Sequence, residues 1–149
     1  MQNQNFTTSF SVKASPTEVF EVINNVRGWW TGEVEGDAKK VGDEFTYVYP
    51  GYHYSKQKVV ELVPGERVMW HVVDSRLEGP SDPSEWTGTD IVFDISASDG
   101  GPEVRFSHRG LVPAFECFER CSGGWGFFVN ASLQRLIATG EGPLSPPWE

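Results

Sequence analysis

The sequence predicts an α+β domain in which a curved antiparallel sheet of about seven strands packs on one long C-terminal helix, with a short helix after the first strand. Three observations carry that expectation. Apolar and polar residues alternate with a period of two in most stretches between residues 6 and 109, as strands with one wet face require. Proline-glycine and Asp-Gly-Gly turn signals punctuate those stretches. Beyond Pro113 the apolar period becomes that of a helix and stays so to Thr139.

The first strand, residues 6–12, sets Phe6, Thr8, Phe10 and Val12 on one face and Thr7, Ser9 and Ser11 on the other. A helix follows at once: Ser15 is its N-cap, Pro16 stands at the first helical position, and Glu18 completes a capping box. Val19, Val22, Ile23 and Val26 fall at i, i+3, i+4 and i+7, one buried stripe that ends near Arg27 and Gly28. Six further strands are expected over 32–36, 42–49, 53–63, 66–74, 86–97 and 102–109. Pro50-Gly51 and Pro64-Gly65 occupy the centres of type II turns, and Asp99 to Gly101 closes a hairpin. Parity turns Phe45, Tyr47 and Tyr49 inward, then Ile91, Phe93 and Ile95, then Val104, Phe106 and His108. The run "RVMWHVV", 67–73, is apolar on both parities, which leaves open whether Trp70 or His71 faces in. In the last helix Trp125, Phe128, Val129, Ser132, Leu133, Leu136 and Ile137 form one stripe, and Gly140 ends it. Gly123, Gly124 and Gly126 weaken its start and leave space where bulk would otherwise sit.

Twelve Lys and Arg against 21 Asp and Glu, a net charge of −9, exclude nucleic acid or an anionic membrane as main partner. The one basic pair, Lys39-Lys40, lies beside Asp37 and reads as a solvated loop. The chain carries no leader pattern and no window near the roughly 18 apolar residues of a membrane span, so a cytoplasmic location is expected. Cys117 and Cys121 make no disulfide framework, and no metal site is expected of them or of the scattered His53, His71 and His108. Residues 1–142 read as one domain and 143–149 as a Pro-rich tail.

The ordered segments "ASPTEVFEVI" with "WW" after it, "KVGDEFTY", "VVELVPGERVMW", "VRFSHRGL" and "GWGFFVNASLQRLIATGEG" narrow the reading. The chain resembles the START-like superfamily, also called SRPBCC or birch-pollen-allergen-like. Within it, the chain is similar to the family named after the activator of the heat-shock-protein-90 ATPase. The segments cover nearly the whole chain in order, and "GW" leading a leucine-rich helix that ends in "TGEG" is the most specific. The resemblance implies the helix-grip fold, a curved sheet wrapped on the last helix with a cavity between them. It implies no single chemistry, because the superfamily includes lipid and hormone carriers, polyketide cyclases, self-sacrificing resistance proteins and cochaperone domains.

With that resemblance, the aromatic residues Trp29, Trp30, Phe45, Tyr47, Tyr49, Trp70, Phe93, Phe106, Trp125 and Phe128 become a candidate ligand-binding wall, with His108 as its polar member. The plain alternative for each ring is ordinary core. Of the paired indoles, one is expected to pack inward and the other to cover the cavity mouth. His108 reads first as a core histidine satisfied by its neighbours and second as an acid/base group. The chain lacks a nucleophile elbow, a zinc-protease motif and a phosphate loop. Binding of a small hydrophobic or aromatic molecule, without metal or organic cofactor, by a monomer or homodimer is the leading expectation. A cyclase- or dehydratase-like enzyme using His108, Tyr47 and Glu85 is the second. A cochaperone-like regulator of a heat-shock chaperone or stress-response protein is the third, with Trp148 as an anchor in the tail.

Overall fold

The computed structural model describes residues 5–97 and 99–142. The Pro-rich tail at 143–149, including Trp148, lies outside the described residues. The elements are β1 (Phe6–Ser11), α1 (Pro16–Asn24), β2 (Glu33–Gly36), β3 (Glu44–Tyr49), β4 (His53–Val63), β5 (Arg67–Leu77), β6 (Asp90–Ser96) and β7 (Glu103–Arg109). A C-terminal helix, α2, then runs continuously over 118–139.

The strands form one seven-stranded sheet in the order β1-β7-β6-β5-β4-β3-β2, with every neighbouring pair antiparallel. Both Pro-Gly turns close as expected, with Tyr52 N–H donating to the Tyr49 carbonyl at 3.0 Å and Glu66 N–H to the Val63 carbonyl at 2.8 Å. The capping box of α1 is complete: Glu18 N–H donates to Ser15 Oγ at 3.1 Å, and Ser15 N–H to Glu18 Oε1 at 3.2 Å.

Two strands differ from expectation. β6 begins at Asp90 rather than near Trp86, because turns closed by Thr87 N–H to the Ser84 carbonyl and Thr89 N–H to the Trp86 carbonyl occupy the preceding residues. β5 continues to Leu77, held by pairing of His53 with Leu77 across from the equally long β4.

The ambiguous run in β5 resolves through bulges. Its register with β4 shifts at Lys56/Gln57 and again at Val59/Glu61, so Val73 and Val60 each stand as the extra residue and are exposed. Val68, Trp70 and Val72 face inward and are fully buried, while His71 faces outward and pairs its Nδ1 with Asp90 Oδ1 at 2.7 Å.

Helix α2 crosses the inner face of the sheet and buries Trp125, Phe128, Val129 and Leu133 against it. Each such side chain removed from water contributes roughly 1.5–3 kcal/mol. The stripe lies where the sequence puts it, but Gly126–Leu133 is wound as a π-helix, with Gln134 N–H reaching back to the Val129 carbonyl. Gly140, at φ +78°, ends the helix in the left-handed conformation.

Candidate functional site

The paired tryptophans are placed by the end of α1. A single tight turn, Val26–Gly28, follows the helix, and the N–H groups of Trp29 and Trp30 both donate to the Val26 carbonyl, at 3.2 and 2.9 Å. This fixes the two indoles in one orientation. Trp29 is fully buried, donates its indole N–H to the Ile23 carbonyl at 3.1 Å, and accepts at its own carbonyl from Ser132 Oγ at 2.7 Å. Trp30 lies against Tyr47 with ring centroids 3.8 Å apart. Tyr47, Trp30, Trp29 and Trp70 form a run of nearly parallel rings, with successive interplanar angles of 12°, 9° and 11°.

One face of Trp30 borders a cleft of about 470 Å³ between the β3–β4 end of the sheet and the first half of α2. Tyr47, Tyr49, Trp86, Trp125 and Phe128 complete its aromatic walls, and Trp86 stacks on Trp125 at 5.5 Å. On the helix side the wall is Gly123 and Gly124, where an added Cβ would meet nothing within 4 Å. The space is therefore a consequence of missing side chains. Tyr52, Glu119, Arg120 and Cys121 bring polar and reactive groups to it, and His53 and Leu77 complete the lining.

His108 is engaged at both nitrogens. Trp125 Nε1–H donates to Nδ1 at 2.9 Å, so the other nitrogen, Nε2, carries the proton and donates to Thr89 Oγ1 at 2.8 Å. Thr89 in turn donates to the Trp86 carbonyl. Burial pushes the imidazole down to about 3, with the neighbouring His53 adding to the effect, so the ring is neutral at physiological pH. His108 stands behind Trp86 and Trp125 rather than in the cleft wall and serves to orient them. His53 does line the cleft, with Nε2 2.8 Å from Ser55 Oγ. It too is pushed down to about 3, by burial and then by the charge of Arg120.

Glu85 has a helix-capping role. Its Oε2 accepts from Glu116 N–H at 3.0 Å and its Oε1 from Cys117 N–H at 3.1 Å, which satisfies free amides at the start of α2. Tyr47 keeps its hydroxyl on the Thr31 carbonyl.

Of the ligand-binding residues expected from sequence, Trp30, Tyr47, Tyr49, Trp125 and Phe128 come together in the cleft. Trp29, Trp70, Phe93 and Phe106 form the packed layer behind it. Phe45 belongs to a separate hollow of about 430 Å³ that it shares with Phe20, Asn24 and Arg27, beside α1 and β2. The sequence reading did not assign Trp86, His53, Arg120 or Cys121 to the site. A tryptophan in the polar loop "SDPSEWTG" was the available signal, since so large a ring in a solvated loop needs somewhere to bury.

Comparison with solved structures then places the architecture. The solution structure of the Aha1 dimer from Colwellia psychrerythraea superposes with a TM-score of 0.75 at 25% identity, over 93% of this chain and 99% of that one. The fold is START-like. The same START-like architecture relates the chain to DynU16 of the dynemicin biosynthetic locus, with a TM-score of 0.69 at 16% identity over 94% of this chain and 49% of that one. Protein MLL2253 from Mesorhizobium loti matches with a TM-score of 0.70 at 14% identity, over 90% and 96% of the two chains. No protein-family model matches the sequence, and no curated protein matches it. Among the described residues no helix of this START-like domain is long and apolar enough to cross a membrane, and no three His, Cys, Asp or Glu side chains cluster to hold a metal.

Proposed function

We propose that this START-like domain, over residues 1–142, binds a small aromatic or apolar molecule in the cleft between the β3–β4 end of the sheet and α2. The observation that supports this reading is the cleft of about 470 Å³ itself, walled by Trp30, Trp86, Trp125 and Phe128 and left open by two glycines. Its size lies within the ~300–1,000 Å³ of ordinary ligand sites. Flat rings offer a ligand large apolar contact at little conformational cost, and Arg120 and Glu119 leave its polar end in water. Two free cysteines suit a reducing compartment, in keeping with a cytoplasmic protein.

Titration with 8-anilinonaphthalene-1-sulfonate, read by dye fluorescence and tryptophan quenching, tests the reading. Saturable binding is expected for the wild type and its loss for Gly124→Leu, whose side chain would occupy the cleft, with the melting temperature of the variant unchanged or raised. Equal affinity in both proteins would overturn it.

A second reading, regulation of a heat-shock chaperone, is favoured by the likeness to the Aha1 dimer over 99% of that chain together with the sequence resemblance to the activator family. An enzymatic reading through His108 finds no support in a ring whose nitrogens are both occupied behind the cleft wall.

A further inference from the structure

Arg120 is the one cation among the residues that line the cleft, and its guanidinium is held in place there. Nη2–H donates to the Glu78 carbonyl, and Glu78 N–H donates to the Tyr52 carbonyl at 3.0 Å. One chain of hydrogen bonds thus ties the helix to the loop after β5 and to the β3–β4 turn, with Tyr52 and Leu77 of those segments lining the cleft. Gly79 makes room for the guanidinium, since a Cβ there would lie 3.1 Å from Nη1. Nε and Nη1 have no hydrogen-bond partner among the described residues, and no carboxylate there forms an ion pair with Arg120. Glu85 is committed to the Glu116 and Cys117 amides, and Glu116 accepts from Ser81 N–H at 3.0 Å. Glu119 also lines the cleft, but adjacent residues on a helix do not face each other. The charge of Arg120 acts inside the site: His53, on the sheet side, is pushed down first by burial and then by that charge.

We propose that the cleft selects flat aromatic acids, with the ring against Trp30, Trp125 and Phe128 and the carboxylate on the free edge of the Arg120 guanidinium. The proposal rests on the reading of the cleft as a binding site and specifies the polar end of its ligand. Helix geometry sets the spacing. Arg120, Gly124 and Phe128 fall at i, i+4 and i+8 on one face of α2, so the open space at Gly124 lies one turn, ~6 Å, from Arg120 and one turn from Phe128. A ring that fills the space left by the glycine therefore brings a carboxylate attached to it within reach of the arginine. A guanidinium already fixed by one hydrogen bond loses little further freedom when it binds a carboxylate, and its planar donors match the two oxygens. The chain as a whole, at net charge −9, repels anions, so a preference for an acid has to arise locally.

The experiment uses the full chain and three probes with the same ring system: 2-naphthoate, the neutral 2-naphthalenemethanol and the cationic 2-naphthylmethylamine. Calorimetric titration gives the affinities, and shifts of the tryptophan indole N–H resonances of Trp30 and Trp125 report entry to the cleft. The expected order is acid, then alcohol, then amine, with the acid at least ~5-fold tighter than the alcohol. Raising the salt should narrow that gap by weakening the acid alone. Arg120→Gln should bring the acid down to the affinity of the alcohol and leave the alcohol unchanged, which separates recognition of charge from support of the cleft's shape. Cleft indoles that shift equally with acid and alcohol, tightest binding of the amine, or a preference for the acid that survives in Arg120→Gln would overturn the role of Arg120 and leave the cleft reading standing. Should Arg120→Gln fail to fold, the order of the three probes on the wild type and its salt dependence decide the matter. No binding of any probe, or binding that leaves both indoles unshifted, would overturn both.

Discussion

Gln57 presents the sharpest residue-level conflict in the fold. It projects from β4 into the core at 0% exposure, between Phe45 and Val72 on the neighbouring strands, and neither Oε1 nor Nε2 finds a partner among the described residues. An unpaired buried amide costs roughly 1–3 kcal/mol. Gln57→Met keeps most of the volume and removes the polar atoms, so it should stabilise the protein by about 1–2 kcal/mol, read as a higher urea midpoint at constant slope. A lower midpoint would show that the amide is satisfied in solution. Alternation predicted the facing of Phe45, Tyr47, Phe93, Phe106 and His108 correctly, because each lies in a strand without a bulge. It misplaced Trp86, set at the start of a strand over 86–97 where the structure has turns, and it gave no way to separate the rings that line the cleft from those packed one layer behind.

Helix α2 carries the predictions that belong to elements. Gly123 stands at the beginning of the helix in open space and at negative φ, so Gly123→Ala should stabilise by up to ~1 kcal/mol through propensity alone. Gly140 is the opposite case. Its φ of +78° places any side chain in the left-handed region, and Gly140→Ala should destabilise by about 1 kcal/mol although the Cβ itself meets nothing. Paired thermal melts of the two variants check the signs, and an Ala at 140 that raises the melting temperature would contradict the cap. The capping box of α1, the Gly140 cap, the Pro-Gly turns and the apolar stripe were visible in the sequence because each is local chemistry, whereas the Glu85 cap of α2 comes from a distant loop and was not. The π winding of Gly126–Leu133 was not, since the residues it buries are the same that an α-helix would bury. The inward face of β5 was hidden for a related reason: two bulges change its register against β4, and a bulge is set by strand pairing.

At the scale of the molecule, two neutral imidazoles link stability to pH. His53 and His108 are each pushed down to about 3, first by burial, whereas an unfolded histidine titrates near ~6.5. Above about pH 6.5 neither folded nor unfolded chain takes up these protons, and the full stability is present. Below it the unfolded chain binds protons that the native protein refuses, so stability falls as pH drops from about 6.5 toward 3. The slope for the fully buried His108 is ~1.4 kcal/mol per pH unit. Urea midpoints should be level between about pH 7 and 8 and decline well before the carboxylate range, whereas a level midpoint down to about pH 5 would mean that the rings charge in the folded state.

The strand order also imposes a timetable on synthesis. From β3 to β7 every strand is hydrogen-bonded to the one before it, and each hairpin can close as soon as its second arm is available. β1 is the exception, because Phe6 must wait for His108, about 100 residues later. At ~5–20 residues per second that is a wait of roughly 5–20 s on the ribosome. The inner face of the sheet waits longer still, for the helix at 118–139 that covers it. Through that interval the indoles of Trp29, Trp30 and Trp70 lack their final cover, which makes the nascent chain, rather than the finished protein, the form most in need of a chaperone.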